Sequence, residues 1–178
     1  MAPQEIGDPS RRRTVTAMGS EGEARALGAL TAYGIDVEVT RHGPVSSLAE
    51  AAAARGVAPG DIVKTLVLRR GPGDYLFVLV PGDREFSWPK VRAVLGVNRL
   101  SMPSAAEALE VTGYERGTIT PFGAKTALPV LADASIAGRR ISMGAGAHGV
   151  AVTVAGDDVI RALAAMVADL SERPGTQP

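Results

Sequence analysis

Two β-rich runs lie close together in this chain and constrain its fold more than any other feature. They are residues 61–70 (DIVKTLVLRR) and residues 75–82 (YLFVLVPG), with Gly71-Pro72-Gly73-Asp74 around the break between them. Two such runs joined by a short Gly- and Pro-containing segment predict a β-hairpin. An antiparallel hairpin at this place argues against a regular winding in which a crossover helix follows every strand.

Helical patterns and further strand candidates are interspersed around the hairpin. Ser20 with Glu23, Ser47 with Glu50 and Ser104 with Glu107 have the spacing of capping boxes, and they predict helices ending near Gly34, Gly56 and Gly113. Residues 88–96 (WPKVRAVLG) predict a short helix with proline near its start. A last helix is expected to be capped by Asp157 and to carry an apolar stripe of Ile160, Leu163, Val167 and Leu170. The remaining strand candidates are residues 35–42, 98–102, 128–136, 139–146 and 148–155.

This mixture of elements predicts a single α+β domain with a mixed, curved, barrel-like sheet flanked by helices. We place the domain at residues 20–171. Residues 1–19 and 172–178 contain Pro, Gly, Ser and Arg without an apolar pattern, and we expect them to be flexible tails. Arg11, Arg12 and Arg13 in the first tail fit a solvated segment, and contact with RNA is the alternative.

Composition limits the chemistry and the partners. The 178 residues include 19 basic and 19 acidic ones, so broad, sequence-blind binding to nucleic acid is disfavoured, whereas a small contact with one RNA end stays open. There are no cysteines, which excludes disulfides, thiolate nucleophiles and cysteine-bound metals. We find no run of about 18 apolar residues and no signal-peptide pattern. We therefore expect a cytoplasmic protein without membrane attachment.

Residues 117–123 (GTITPFG) form a loop whose residue types are suited to a special backbone shape. Gly117 and Gly123 can adopt positive φ, and Pro121 fixes its own φ and extends the residue before it. Such loops leave N–H groups facing outward, where a phosphate, carbonyl oxygen or hydroxyl can meet them. An ordinary connector between two elements is the alternative.

Lys64 interrupts an apolar strand pattern. In a half-buried strand it shares a face with Ile62 and Leu66. A lysine on that face requires a partner or a cavity. The alternative is an edge or snorkelling lysine.

A second glycine-rich segment, residues 144–149 (GAGAHG), follows a strand candidate. Gly144 and Gly146 would let the backbone pass close to a ligand. His148 is a candidate general base or hydrogen-bond partner of a substrate, and an exposed structural histidine is the alternative. Neither histidine belongs to an H-E-x-x-H pattern, so we predict no metal site.

These segments together resemble the YbaK/prolyl-tRNA-synthetase-associated editing domain family. Residues 61–123 carry the strongest similarity, and a weaker one extends to about Leu170. The family's near-invariant lysine falls on Lys64, and its G-x-x-x-P loop falls on residues 117–121. The resemblance implies a mixed, barrel-like sheet with flanking helices and an aminoacyl-tRNA deacylase that uses no cofactor.

The resemblance also implies roles for individual residues. Lys64 would anchor the substrate through its phosphate, carbonyl or ribose. The loop backbone would hold the terminal adenosine and orient the ester, while the free ribose hydroxyl beside the ester helps the attacking water. The expected catalytic residues are Lys64, Gly117 and His148, and the expected substrate-binding residues are Thr118, Ile119, Thr120, Pro121, Phe122, Gly123, Gly144 and Gly146.

The expected function is hydrolysis, in trans, of a misacylated tRNA, with tRNA for proline favoured. The expected partners are the acceptor end of aminoacyl-tRNA and prolyl-tRNA synthetase. Two other functions stay open from the sequence: a non-catalytic module of the same fold that binds aminoacyl or nucleotide ligands, and an esterase for a small non-RNA substrate. The identity of the removed amino acid also stays open.

Overall fold

The computed structural model describes residues 10–175, with side chains described from residue 21 onwards. The helices are α1 (Ser10–Ala32), α2 (Leu48–Arg55), α3 (Trp88–Leu95), α4 (Ala105–Thr112) and α5 (Gly156–Ala162). The strands are β1 (Glu38–Arg41), β2 (Ile62–Gly71), β3 (Asp74–Pro81), β4 (Glu85–Phe86), β5 (Val130–Asp133), β6 (Arg140–Gly144), β7 (Val150–Ala155), β8 (Met166–Ala168) and β9 (Ser171–Glu172). Short 3-10 turns occupy Pro59–Asp61 and Ala134–Ile136.

The main sheet has seven strands in the order β1-β7-β6-β2-β3-β5-β8. Its pairs are mixed: β2 runs antiparallel to β3 but parallel to β6, and β5 runs parallel to both β3 and β8. The predicted hairpin is confirmed as β2 and β3, with Lys64 paired with Val80. The predicted fold class, an α+β domain with a mixed, curved sheet flanked by helices, is also confirmed.

The central strands are buried on both faces because helices pack on each side of the sheet. Val63 and Phe77 belong to the larger apolar cluster, which includes Leu30 of α1. Leu68 belongs to a second cluster with Val91 of α3. Alternate residues of one strand therefore contribute to two cores, as the two-residue period of a strand requires.

Two predicted capping boxes are found at helix starts, one of them complete. At α4, the Ser104 side chain accepts the Glu107 N–H, and the Glu107 carboxylate accepts the Ser104 N–H. At α2, the Ser47 side chain accepts the Glu50 N–H, but the Glu50 carboxylate accepts from the N–H and hydroxyl of Ser46 instead. Both helices start where the sequence predicts, because a cap satisfies N–H groups that the first turn leaves unpaired.

Two other local predictions are wrong. Helix α1 extends back to Ser10, so Ser20 and Glu23 do not cap its start. Residues 98–102 do not form a strand, since their only ladder contact is a single bridge between Ser101 and Arg69. An isolated bridge satisfies the local backbone without requiring a continuous run of pairs.

The prediction of the last helix is also wrong beyond the first turns of that helix. Helix α5 ends at Ala162, and Asp157 is not its cap, because the Asp157 carboxylate accepts the N–H of Gly138. The expected apolar stripe is interrupted at β8, which adds a parallel strand to the sheet beside β5. Pairing with a sheet edge satisfies backbone groups that a longer helix would have satisfied internally.

Asp133, at the end of β5, holds this C-terminal segment in place. Its carboxylate accepts the N–H of Leu170 at 3.0 Å and the hydroxyl of Ser171 at 2.8 Å. Burial raises the pKa of Asp133, but the hydrogen bonds from Ser135, Leu170 and Ser171 outweigh burial and lower it below its usual value. The ionised carboxylate is therefore the form that the fold stabilises.

Part of the predicted tails falls outside the structure. Residues 1–9 and 176–178 lie beyond the described range, as do the side chains of Arg11, Arg12 and Arg13. The domain limits of residues 20–171 stay a prediction, although α1 includes residues assigned to the first tail. No helix in the described part of the chain combines the length and apolarity needed to cross a membrane.

Candidate active site

A pocket of about 590 Å³ lies along β2, within the size range of ordinary ligand sites. Residues from five parts of the chain line it. These are Arg55 from α2, residues 62–67 from β2, Met102, Pro103, Ala105 and Ala108 before and within α4, Arg116, Gly117 and Ile119 at the start of the first glycine segment, and Gly144 from the second. The structure thus brings together residues that are up to 89 positions apart (55 to 144).

The two ends of the pocket differ in chemistry. The Arg55 guanidinium lies 3.5 Å from the Ser142 hydroxyl, and Ser142 pairs with Ile62, so Arg55 marks the Ile62 end. The bridge from Arg69 to Ser101 brings the following Met102 alongside the far part of β2. The Ile62 end therefore carries the Arg55 guanidinium, and Met102, Pro103, Ala105 and Ala108 contribute apolar side chains at the other end.

Lys64 lies between these ends. It is exposed and lines the pocket, although it belongs to a largely buried strand. No ion pair or hydrogen bond joins its ammonium group to another residue in the described part of the chain. Gly144 follows Met143, the parallel partner of Val63, so Gly144 is beside Lys64 in the sheet. Lys64 thus faces a cavity, and its predicted catalytic role stays a prediction.

The loop of residues 117–123 presents two of its members to the pocket, Gly117 and Ile119. Gly117 has φ +89°, which a side chain would oppose. Both the N–H and the hydroxyl of Thr118 donate to the carbonyl of Glu115, at 2.9 and 2.8 Å. The N–H groups of Gly117 and Ile119 have no acceptor among residues 21–175, so they remain able to donate to a ligand.

The other loop residues lie outside the pocket and hold the loop in shape. Thr118, Thr120 and Phe122 are buried. The hydroxyl of Tyr114 donates to the Phe122 carbonyl at 2.8 Å. A Cβ added at Gly123 would lie 2.5 Å from the carbonyl oxygen of Arg25 on α1. Pro121 does not line the pocket either, so these residues support the loop through packing.

Gly144 and Gly146, predicted to act alike, have different surroundings. Gly144 lines the pocket, and a Cβ added there would lie 3.9 Å from the Ile119 carbonyl oxygen, an ordinary van der Waals distance. Gly146 does not line it; its N–H donates to the Thr118 carbonyl at 3.2 Å. A Cβ on Gly146 would lie 2.3 Å from the carbonyl oxygen of Gly22 on α1. Gly146 therefore permits close approach of a helix rather than of a ligand.

His148 lies against the loop but outside the pocket lining. Its Cε1 is 3.4 Å from the position that a Gly117 Cβ would take. Its side chain is 70% exposed, and its Nε2 is 3.6 Å from a carboxylate oxygen of Glu115. His148 therefore borders Gly117 from the solvent side.

Sequence reasoning missed two cations of the pocket, Arg55 and Arg116. Arg116 is exposed next to Gly117. Arg55 is half-buried, and burial lowers the pKa of its guanidinium. Arg55 is the last residue of the alanine-rich helix α2 and precedes Gly56, a position that indicates only a favourable charge at a helix end. No local signal could have connected it with β2.

Among residues 21–175, the lining contains three basic residues and no acidic one. Thr65 also lines the pocket, and its hydroxyl is buried and has no hydrogen-bond partner in the described part of the chain. A buried unpaired hydroxyl costs free energy unless a ligand or water satisfies it. Residues 21–175 contain no cluster of three or more His, Asp or Glu side chains that could hold a metal ion. The pocket is thus suited to an anionic ligand with additional hydrogen-bonding groups.

Comparison with known proteins gives consistent matches. A family model described as "Aminoacyl-tRNA editing domain" matches residues 42–162. A proline–tRNA ligase from Pelobacter propionicus is 30% identical over 113 residues, which are 64% of this chain and 20% of the ligase. A multifunctional Ser/Thr-tRNA deacylase, ProXp-y, from Escherichia coli K12 is 29% identical over 123 residues, covering 67% of this chain and 74% of the deacylase.

Solved structures agree with these matches. The crystal structure of a candidate trans-editing enzyme for prolyl-tRNA synthetase has a TM-score of 0.77 and 28% identity. The similarity covers 85% of this chain and 97% of that one. By contrast, the chain spans only 11 to 20% of the proline–tRNA ligases that it resembles. The similarity to those ligases therefore concerns one part of a much larger enzyme.

Proposed function

The chain belongs to the aminoacyl-tRNA editing domain family, and on this premise we propose that it is an aminoacyl-tRNA deacylase. It hydrolyses the ester between a misattached amino acid and the terminal ribose of tRNA. The observation that carries the proposal is the convergence of Lys64, Gly117, Ile119 and Gly144 on one pocket without acidic lining. The similarity to proline–tRNA ligases and to a tRNA deacylase supports the same activity.

Substrate binding uses the polar groups that lack protein partners. The Lys64 ammonium group binds the ribose, phosphate or ester carbonyl of the substrate. The N–H groups of Gly117 and Ile119 contact the terminal adenosine and orient the ester. Each contact satisfies a donor that the folded chain leaves unpaired.

The reaction is a direct attack by water. Its oxygen adds to the ester carbonyl carbon, and negative charge develops on the carbonyl oxygen. The nearby ammonium and N–H donors stabilise that charge. The bond to the ribose oxygen then breaks and this oxygen takes up a proton, so the products are the free amino acid and deacylated tRNA.

The attacking water needs help with proton transfer, and the described part of the pocket lining has no His, Asp or Glu to supply it. The free ribose hydroxyl beside the ester therefore assists the water. His148 borders the loop from outside, where it supports the acceptor end or the loop. Catalysis of this kind depends mainly on positioning.

The substrate is a mischarged tRNA, with tRNA for proline favoured, and the protein acts in trans in the cytoplasm. The ligase relatives and the candidate trans-editing enzyme support this choice of tRNA. Met102, Pro103, Ala105 and Ala108 line the apolar end of the pocket. This end accepts the side chain of the misattached amino acid, and its lack of charge favours an uncharged one.

The test is deacylation of a panel of labelled aminoacyl-tRNAs by the wild type, Lys64→Ala and the control Lys125→Ala. Lys125 is exposed and does not line the pocket. We expect Lys64→Ala to lower kcat/KM by about 100-fold or more, as for loss of a donor that stabilises an oxyanion. Thermal unfolding should show that both variants are folded. Wild-type rates in Lys64→Ala would contradict the assignment of Lys64.

The panel also separates the deacylase from the other two functions. Binding of aminoacyl-tRNA without hydrolysis of any member would support the non-catalytic module. Equal hydrolysis of aminoacyl-tRNA and of simple amino-acid esters would support the small-molecule esterase. Preference for a particular aminoacyl-tRNA by a large factor is the result that the proposal requires.

A further inference from the structure

We propose that Arg55 forms a second anion-binding subsite at the Ile62 end of the pocket and binds a phosphate oxygen of the tRNA acceptor end. The inference rests on the proposed function, since it identifies a further substrate-binding residue of the same site. The ligand of this subsite is an oxyanion. The source is an internucleotide phosphate rather than a carboxylate on the amino acid.

Arg55 lacks an anionic partner among residues 21–175. It is half-buried, and no carboxylate in the described part of the chain forms an ion pair with it. Its partners are two neutral acceptors, Nε2 of His42 at 3.4 Å and the Ser142 hydroxyl at 3.5 Å. A partly buried cation with only neutral partners is costly. An oxyanion arriving with a ligand would offset that cost.

The two neutral partners hold the guanidinium in place and leave most of it free. Nδ1 of His42 lies 2.8 Å from the Gly43 carbonyl oxygen. When Nδ1 carries the proton and donates to that oxygen, Nε2 accepts from Nε of Arg55. A guanidinium has five N–H donors in a planar fork. The contacts to His42 and Ser142 use two of them, so an unused edge can bind a phosphate through two parallel hydrogen bonds.

The order of groups along β2 favours a phosphate over an amino-acid carboxylate. Lys64 lies two residues beyond Ile62, which is about 6.6 Å along a strand. Arg55 is on the Ile62 side of Lys64, whereas Met102, Pro103 and Ala105 line the opposite, apolar end. An ester held near Lys64 with its amino acid in the apolar end directs its nucleotide towards Arg55.

The experiment compares two substrates and two variants. Aminoacyl-adenosine has no phosphate, whereas the aminoacylated trinucleotide CCA has internucleotide phosphates. The variants are Arg55→Ala and the control Arg161→Ala, whose side chain is exposed and paired with Asp158. We expect Arg55→Ala to raise KM for the trinucleotide by about 10-fold or more, typical of a lost hydrogen bond to a charged group. KM for aminoacyl-adenosine should be unchanged, and Arg161→Ala should behave as wild type with both.

Other outcomes would overturn the inference. An equal increase in KM with both substrates would show that Arg55 does not act through a phosphate. An increase confined to substrates that carry aspartate or glutamate would make the amino-acid carboxylate its ligand. Unchanged KM values in folded Arg55→Ala would show that Arg55 forms no such subsite, and they would leave the proposed deacylase function in place. Thermal unfolding establishes that the variant is folded, and Arg55→Lys should recover part of the affinity through charge alone.

Direct binding tests the subsite even if no substrate is hydrolysed. Calorimetry with the trinucleotide CCA that is not aminoacylated measures affinity without ester hydrolysis. Weaker binding by Arg55→Ala than by wild type and Arg161→Ala would support the subsite when the deacylase proposal fails. Equal binding by all three proteins would overturn it. The two proposals can therefore fail separately.

Discussion

Adding one methyl group at Gly146 should cost much more stability than adding one at Gly138. Both glycines have positive φ, +84° and +72°. A Cβ at Gly138 would have nothing within 4 Å, whereas a Cβ at Gly146 would lie 2.3 Å from the Gly22 carbonyl oxygen and 2.9 Å from Cε1 of Tyr114. The pair thus separates the cost of the backbone conformation from the cost of the contact with α1.

The magnitudes follow from these two contributions. The left-handed conformation costs a residue with a side chain about 1–2 kcal/mol, and this cost applies to Gly138→Ala and Gly146→Ala alike. Overpacking adds about 1–3 kcal/mol at Gly146, because the nearest atom belongs to the backbone and cannot turn away. For a domain of this size, each kcal/mol lowers Tm by about 2–4 °C. Gly146→Ala should therefore melt about 2–12 °C below Gly138→Ala.

Urea unfolding and thermal scans of the two variants and the wild type measure this difference. Gly146→Ala should also lower the rate of deacylation. The added Cβ would displace the backbone at residue 146, whose N–H donates to the Thr118 carbonyl of the loop. If both variants lost the same stability, the close approach of α1 to Gly146 would make no energetic contribution. That result would refute the packing role of Gly146.

Three further predictions concern the loop, the attacking water and the C-terminal segment. Gly117→Val should reduce deacylation more than Thr118→Ala, because φ at Gly117 is +89° and a β-branched residue rarely adopts a positive φ. Equal deacylation rates in the two variants would indicate that the loop is an ordinary connector. An aminoacyl-tRNA ending in deoxyadenosine, without the free ribose hydroxyl, should be deacylated about 10²–10⁴-fold more slowly, and His148→Ala should lower the rate by a smaller factor. A larger loss of rate in His148→Ala than with the deoxy substrate would make His148 the general base. The pKa of Asp133 is lower in the folded protein than in the unfolded chain. Its contribution to the free energy of unfolding is therefore fully present above the unfolded pKa of about 3.9, and it is lost as the pH falls through the pKa of the folded state. Urea unfolding across this range should show a smaller acid loss for Asp133→Asn than for wild type.

Local interactions made much of the fold predictable. Ser47 and Ser104 satisfy N–H groups within three residues of themselves, and the β2–β3 hairpin closes over a few residues around Gly71 and Asp74. The end of α5 was not predictable in this way. It depends on pairing of β8 with β5 and on the Asp133 carboxylate, more than 30 residues away from Leu170.

The sequence by itself indicated the family, through its resemblance to known editing domains. It also placed Lys64 on a strand and Gly117 in a loop, because residue types at short spacing specify strands and loops. Only the tertiary structure decided which neighbours of those residues reach the pocket. It separated Gly144, which lines the pocket, from Gly146, which packs against α1, and it brought Arg55 to the pocket end. Such assignments depend on contacts between distant segments, for which short spacing carries no information.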